Sequence, residues 1–125
     1  MTILYVDDDP DDRQIFEEAV SAIDKRHVCL TAQDGTDALS YLSAGNFPDI
    51  IFLDINMPLM DGKQTLVEIK KDKALDNVPI VMFTTSSSQL DIAFCQQYGV
   101  DFITKPINLQ DFHNTIQKLL SFRAC

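Results

Sequence analysis

Five short apolar runs punctuate the chain: "TILYV" (residues 2–6), "HVCLTA" (27–32), "DIIFLD" (49–54), "PIVMFT" (79–84) and "DFIT" (101–104). The cores of the third and fourth, "IIFL" and "IVMF", are apolar at every position. A strand with one wet face alternates apolar and polar residues, so an unbroken apolar run requires cover on both faces. Between the runs lie segments with apolar residues at helical spacing. Strands alternating with helices in this way make a parallel sheet with helices on both sides, an α/β fold. In such sheets the functional crevice lies outside the carboxyl ends of the strands. The residues that follow each run are therefore the ones that carry function.

The helices have readable ends. Pro10 opens the first, with Asp9 as N-cap and Asp11 and Asp12 in the first turn, where carboxylates meet the positive end of the helix dipole. Its apolar face is Phe16, Ala19, Val20 and Ile23. A second helix is predicted over residues 36–43 with Ala38, Leu39 and Leu42 inward, and a third over 63–71 with Leu66 and Ile69. The fourth, over 89–98, stops at Gly99, which suits the left-handed position past a helix end. The fifth follows Pro106, with Asn108 as cap and Leu109, Phe112, Ile116 and Leu119 at helical spacing.

With 125 residues, 46% of them hydrophobic, the chain has the length and apolar content of one domain with one core, and no repeat or linker divides it. The formal net charge of −9 and the scattered basic residues argue against binding nucleic acid or an anionic membrane, which need clustered Lys and Arg. No apolar run approaches a membrane span and the start lacks a signal-peptide pattern, so a cytoplasmic protein is expected. Cys29, Cys95 and Cys125 are read as reduced thiols, the first two as packing residues and the last as a free tail. His27 and His113 have no partners at metal-ligand spacing, and neither is a credible phosphodonor.

The strand ends carry Asp7 and Asp8, Asp54, Thr84 and Lys105, while the second strand ends in the less distinctive "QDG". Three carboxylates make a poor phosphate site, because no Gly-rich loop precedes the first helix to offer backbone donors. They make a good site for a hard divalent cation, Mg²⁺ foremost, since such ions prefer oxygen ligands. A carboxylate held there can act as a nucleophile and form an aspartyl phosphate. Lys105 would neutralise the phosphoryl charge and the Thr84 hydroxyl would donate to one of its oxygens. In "DDDPDD" the first pair belongs to this site, whereas Asp9, Asp11 and Asp12 are read as a cap and a solvent-facing first turn.

Two rivals fit less well. Asp7, Asp9, Asp11 and Glu18 fall at positions 1, 3, 5 and 12 of a calcium EF-hand loop. Position 6 is then Asp12 where glycine is needed, Pro10 intrudes, and a strand precedes the loop instead of a helix. An aspartate-nucleophile phosphatase would use the D-x-D spacing that Asp7 and Asp9 satisfy, but such enzymes are generally longer and favour Thr or Val where Asp11 stands.

The combination of "ILYVDDDPDDR", "PDIIFLDINMPLMDG", "IVMFTT" and "FITKP" resembles a receiver domain of the two-component response regulators over essentially the whole chain. The resemblance implies a flavodoxin-like sheet of order 2-1-3-4-5, with Asp54 as phosphoacceptor. Asp8 becomes a direct Mg²⁺ ligand, Asp7 acts mainly through metal-bound water, and the main-chain carbonyl of Asn56 completes the protein ligands. Thr84 matches the switch hydroxyl, Lys105 the phosphate-pairing lysine and Phe102 the aromatic switch position. A cis Lys105–Pro106 peptide is also implied. Phe102 replaces the common tyrosine, and Thr85 adds a methyl group where a small residue is usual. The implied partners are a histidine kinase or histidine phosphotransfer protein and a downstream protein reading the face of helix 4, strand 5 and helix 5. Because Cys125 directly follows the fifth helix, output by association is expected, homodimerisation included, with no enzymatic activity beyond the chain's own phosphorylation and dephosphorylation. A pseudo-receiver that only binds partners is the alternative from another class.

Overall fold

The strands form where the apolar runs predict them: β1 Thr2–Val6, β2 Val28–Ala32, β3 Ile50–Leu53, β4 Ile80–Thr84 and β5 Asp101–Thr104. In the computed structural model, which describes residues 1–124 with side chains through 121, all pairings are parallel and the order is β2-β1-β3-β4-β5. This is the order the family resemblance implies. β3 and β4, apolar throughout, are buried at every position, while the edge strands β2 and β5 are mostly half-buried or exposed. Cys125, expected as a free tail, lies outside the described residues.

Successive side chains along the central strands enter opposite layers, as the period of two requires. Leu4, Val6, Leu53 and Met82 meet Ala38 and Leu42 of α2 (Gly35–Ser43), Leu66 and Ile69 of α3 (Gly62–Lys70) and Cys95 of α4 (Gln89–Gln97). Tyr5, Phe52 and Phe83 meet Phe16 and Val20 of α1 (Pro10–Ile23) and Phe112 and Ile116 of α5 (Leu109–Ala124). The second layer is aromatic. Tyr5 stacks on Phe16 with centroids 4.0 Å apart, and Phe83 meets the rings of Phe52 and Phe112 edge-on. Stacked and edge-on pairs of this kind add roughly 0.5–1.5 kcal/mol each beyond burial, and this stack fixes the Tyr5 ring next to the strand end.

Three of the helices start on aspartate caps. Asp9 accepts from the Asp11 N–H, Asp34 from the Asp37 N–H, and Asp61 and Gln64 form a reciprocal capping box. Such caps contribute about 1 kcal/mol each. α4 differs: Ser88 makes no side-chain cap bond, and only Asp91 and Cys95 of that helix are buried. Gly99, at φ 67°, takes the left-handed position just past it.

Several expectations are corrected. Leu109 is exposed at the start of α5, and the buried series runs Phe112, Ile116 and Leu120, with Leu119 only part-buried. As the first residue of the helix, Leu109 sits at the rim instead of over the sheet. A 3₁₀ turn over Lys73–Leu75, not anticipated, carries Leu75 into the core. The Lys105–Pro106 peptide is trans, the ordinarily favoured isomer, and Lys105 reaches its acidic partners from it. Among the described residues no helix is long and apolar enough to cross a membrane.

One glycine ties this fold to its strand ends. A Cβ on Gly62 would lie 2.1 Å from the Asp54 carbonyl oxygen and 2.7 Å from the Ile55 Cα, and the Gly62 N–H donates to the Ile55 carbonyl at 2.8 Å. The start of α3 thus rests directly on the segment that carries Asp54. Gly62→Ala is expected to lower the unfolding free energy by about 1–3 kcal/mol, the usual cost of overpacking, as read from a urea titration; an unchanged midpoint would contradict this contact.

Candidate functional site

Four strands deliver their last residues to one end of the sheet. Val6 is paired with Leu53 and Thr84 with Thr104, so Asp7, Asp54, Thr84 and Lys105 emerge side by side. The ladder continues through them: the Asp7 N–H donates to the Ala32 carbonyl (3.0 Å), the Asp54 N–H to Val6 (3.0 Å) and the Lys105 N–H to Thr84 (2.8 Å). Each side chain therefore leaves from a fixed backbone.

Asp7 is fully buried. Its Oδ2 accepts from Lys105 Nζ at 2.5 Å and from the Tyr5 hydroxyl at 2.7 Å, and its Oδ1 from the Asp9 N–H at 3.0 Å. Lys105 Nζ also reaches Asp12 Oδ2 at 2.9 Å and Asp54 Oδ2 at 3.5 Å. Burial opposes the charge on Lys105, but the hydrogen bond to Asp7 and the fields of Asp54 and Asp7 outweigh it and hold the ammonium above its ordinary pKa. Asp54 goes the other way. Burial pushes its carboxyl above the usual carboxylate range, while the Lys105 ammonium, the Thr84 hydroxyl and the Ile55 N–H (2.8 Å) pull it partly back. The Tyr5 phenol is driven upward by burial and by Asp7, so it stays a donor.

One oxygen each from Asp7, Asp8 and Asp54 lie within 4.8 Å of one another. Asp8 is exposed, the other two are buried. Three carboxylates, Asp7, Asp12 and Asp54, thus share one ammonium, and Asp8 stands beside two of them. The hard oxygen donors and the negative charge left over suit a divalent cation. Asn56 lies exposed in the loop two residues beyond Asp54. Thr84 is fully buried, and its Oγ1 accepts from the Ser86 N–H at 3.2 Å. Phe102 is half-buried against the layer of α2, α3 and α4; it pairs with Met82, which places it diagonal to Thr84 on the same face. Thr85 is exposed and lines a cleft beside Lys105.

Two participants were not anticipated. Asp12, expected to face solvent, instead bonds Lys105, a contact between residues 93 apart in the chain. Nothing local in the sequence marks this. Tyr5 could have been found: it stands two residues before Asp7 on β1, hence on the same face. Tyr5 gives Asp7 a neutral donor beside the Lys105 ammonium, whereas Asp12 adds a further carboxylate to that same ammonium.

Removing that counter-charge should be costly. Lys105→Met leaves Asp7 buried without its cationic partner, and a loss of about 3–5 kcal/mol is expected on breaking such a pair from one side. Adding Asp7→Asn should restore part of it in urea unfolding. A single variant as stable as the wild type would show that the ammonium does not hold the acids together.

The sequence matches the response regulator receiver domain over residues 3–117. It is 32% identical to the response regulator Rcp1 of Synechocystis sp., over 96% of this chain and 86% of that protein. Of several other curated relatives it spans only 30–53% of the length. Its structure superposes on that of a phosphorylated cyanobacterial phytochrome response regulator, RcpA, with a TM-score of 0.91 at 32% identity, over 98% of this chain and 93% of that one. A Mn²⁺-bound form of response regulator Rcp1 follows with a TM-score of 0.87 at 30% identity, over 97% and 92%. With the match spanning nearly every element that builds the acidic site, the chain belongs to the response regulator receiver domain family of two-component signalling.

Proposed function

We propose that this chain is a phosphorylation switch that accepts a phosphoryl group on Asp54 from a histidine kinase or histidine phosphotransfer protein, with Mg²⁺ as cofactor. The observation that carries this reading is the convergence of Asp54, Thr84 and Lys105 beside two further carboxylates at the strand ends. Mg²⁺ held by Asp7, Asp8, Asp54 and the Asn56 carbonyl would supply the charge that draws phosphoryl oxygens into line with the acceptor.

The chain's own groups do the rest. An Asp54 carboxylate oxygen attacks phosphorus, the donor's P–N bond breaks with its electron pair going to the imidazole, and an acyl phosphate remains. Lys105 turns from Asp7 toward the phosphoryl oxygens, a charge-assisted contact that compensates the new negative charge. Positioning and electrostatics therefore carry the transfer. Attack of water on phosphorus later returns the carboxylate and inorganic phosphate. With the phosphoryl group in place, the Thr84 hydroxyl donates to one of its oxygens and vacates its former position. Phe102, diagonal to it on the same face, turns into that space and changes the surface of α4, β5 and α5 that a downstream protein reads.

The exposed side chains of Ile107 and Leu109 stand on the rim beside Lys105 and offer an apolar contact for the phosphodonor. An adaptor that binds partners without phosphorylation would not require the acceptor, the hydroxyl and the lysine to converge.

Incubation with Mg²⁺ and acetyl phosphate is expected to add the mass of one phosphoryl group, and Asp54→Asn to abolish the gain. No gain in the wild type, or a gain that survives the substitution, would overturn the reading. Mg²⁺ at ten times its dissociation constant is expected to stabilise the fold by about 1.4 kcal/mol, the mass-action value for one site. Thermal melts of Asp8→Asn should show most of that response gone; an undiminished response would put the metal elsewhere.

A further inference from the structure

Thr84 is buried and has one hydroxyl proton to give. Its oxygen accepts from the Ser86 N–H at 3.2 Å, which leaves the proton free to donate into the pocket. Ser86 is in turn tied down: its hydroxyl donates to Asp91 Oδ2 at 2.6 Å, and it also receives the Ser88 N–H at 3.3 Å. Asp91, buried in the first turn of α4, pairs through Oδ1 with Lys63 in the first turn of α3, and Lys63 Nζ stands 5.7 Å from the centre of the Phe94 ring. A continuous polar line thus runs from the acceptor pocket through Thr84, Ser86 and Asp91 to Lys63. It reaches α4, whose cap residue Ser88 makes no side-chain cap bond and whose buried residues are Asp91 and Cys95.

We propose that Lys63 and Asp91 are positioning residues for Asp54 phosphorylation: through Ser86 they hold Thr84 where it stands in the unphosphorylated chain, and the start of α4 is released when Thr84 moves to the phosphoryl group. This rests on the phosphorylation reading above. The pair is well matched for the task, because Lys63 and Ser86 both hold the Asp91 carboxyl below its usual range and keep it ionised. Partly buried and confined by Ser86 on one oxygen and Lys63 on the other, Asp91 cannot follow Thr84 without giving up one of them. The segment Thr84–Ser86 therefore has two arrangements, one braced and one free, and phosphorylation selects the free one.

Asp91→Asn and Lys63→Met weaken the braced arrangement alone, since neither touches the acceptor. Both are expected to load from acetyl phosphate and Mg²⁺ faster than wild type, by roughly 2- to 30-fold, the span of coupling effects along such networks. Amide hydrogen exchange over residues 89–97 is expected to be fast in both variants before loading and to change little after it, whereas in the wild type it rises on loading. Lys63→Arg, which keeps the cation, should behave as wild type. Variants that load at the wild-type rate or more slowly, or that keep the wild-type rise in exchange, overturn the proposal even if their melting temperatures fall. A wild-type chain that gains no phosphoryl group contradicts the phosphorylation reading, and the coupling with it.

Discussion

The ammonium of Lys105 is shared by three carboxylates, Asp7, Asp12 and Asp54, with Asp8 beside them, and the site depends on how that one charge is divided. A buried unpaired charge is very costly, and the buried Asp7 takes the closest contact, together with the Tyr5 hydroxyl and the Asp9 N–H. Asp54 is left with the longest of the three ammonium contacts, 3.5 Å. Asp54 thereby has the weakest of the three ion pairs. On the proposed reading it is the carboxylate left to meet an added cation and the incoming phosphoryl group.

That distribution is a consequence of the sheet. Parallel strands bring all their carboxyl ends to one edge, and the registers Val6 with Leu53 and Thr84 with Thr104 decide which side chains become neighbours there. The aromatic layer beneath adds a second constraint, since the stack of Tyr5 on Phe16 aims the phenol at Asp7. Gly62 adds a third by letting α3 press against the Asp54 carbonyl. Packing that looks purely structural thus positions the side chains of the acidic site.

Much of this was legible in the sequence. Runs that are apolar at every position, such as "IIFL", read as strands covered on both faces, and the helix start at Asp9–Pro10 follows from capping chemistry, whereas the capping box at Asp61 came only with the structure. The residues at the strand ends followed from topology alone. What stayed hidden depends on long-range contact: Asp12 joins the site through Lys105, 93 residues away, and Lys63 of α3 meets Asp91 of α4. Helical spacing likewise could not tell Leu109 from Leu120, since the end of the sheet, and not the period, decides which is covered. The Lys105–Pro106 peptide, expected cis from family resemblance, is trans.

The central claim is that Lys105 exchanges Asp7 for a phosphoryl oxygen while Thr84 moves to another. A crystal structure of the chain with Mg²⁺ and beryllofluoride, a phosphoryl mimic, tests it most directly. The account predicts the fluoride complex on an Asp54 oxygen, with Lys105 Nζ and Thr84 Oγ1 each bonded to a fluorine and the Lys105–Asp7 contact lengthened. Beryllofluoride bound away from Asp54, or bound there with Lys105 still held on Asp7, would contradict it.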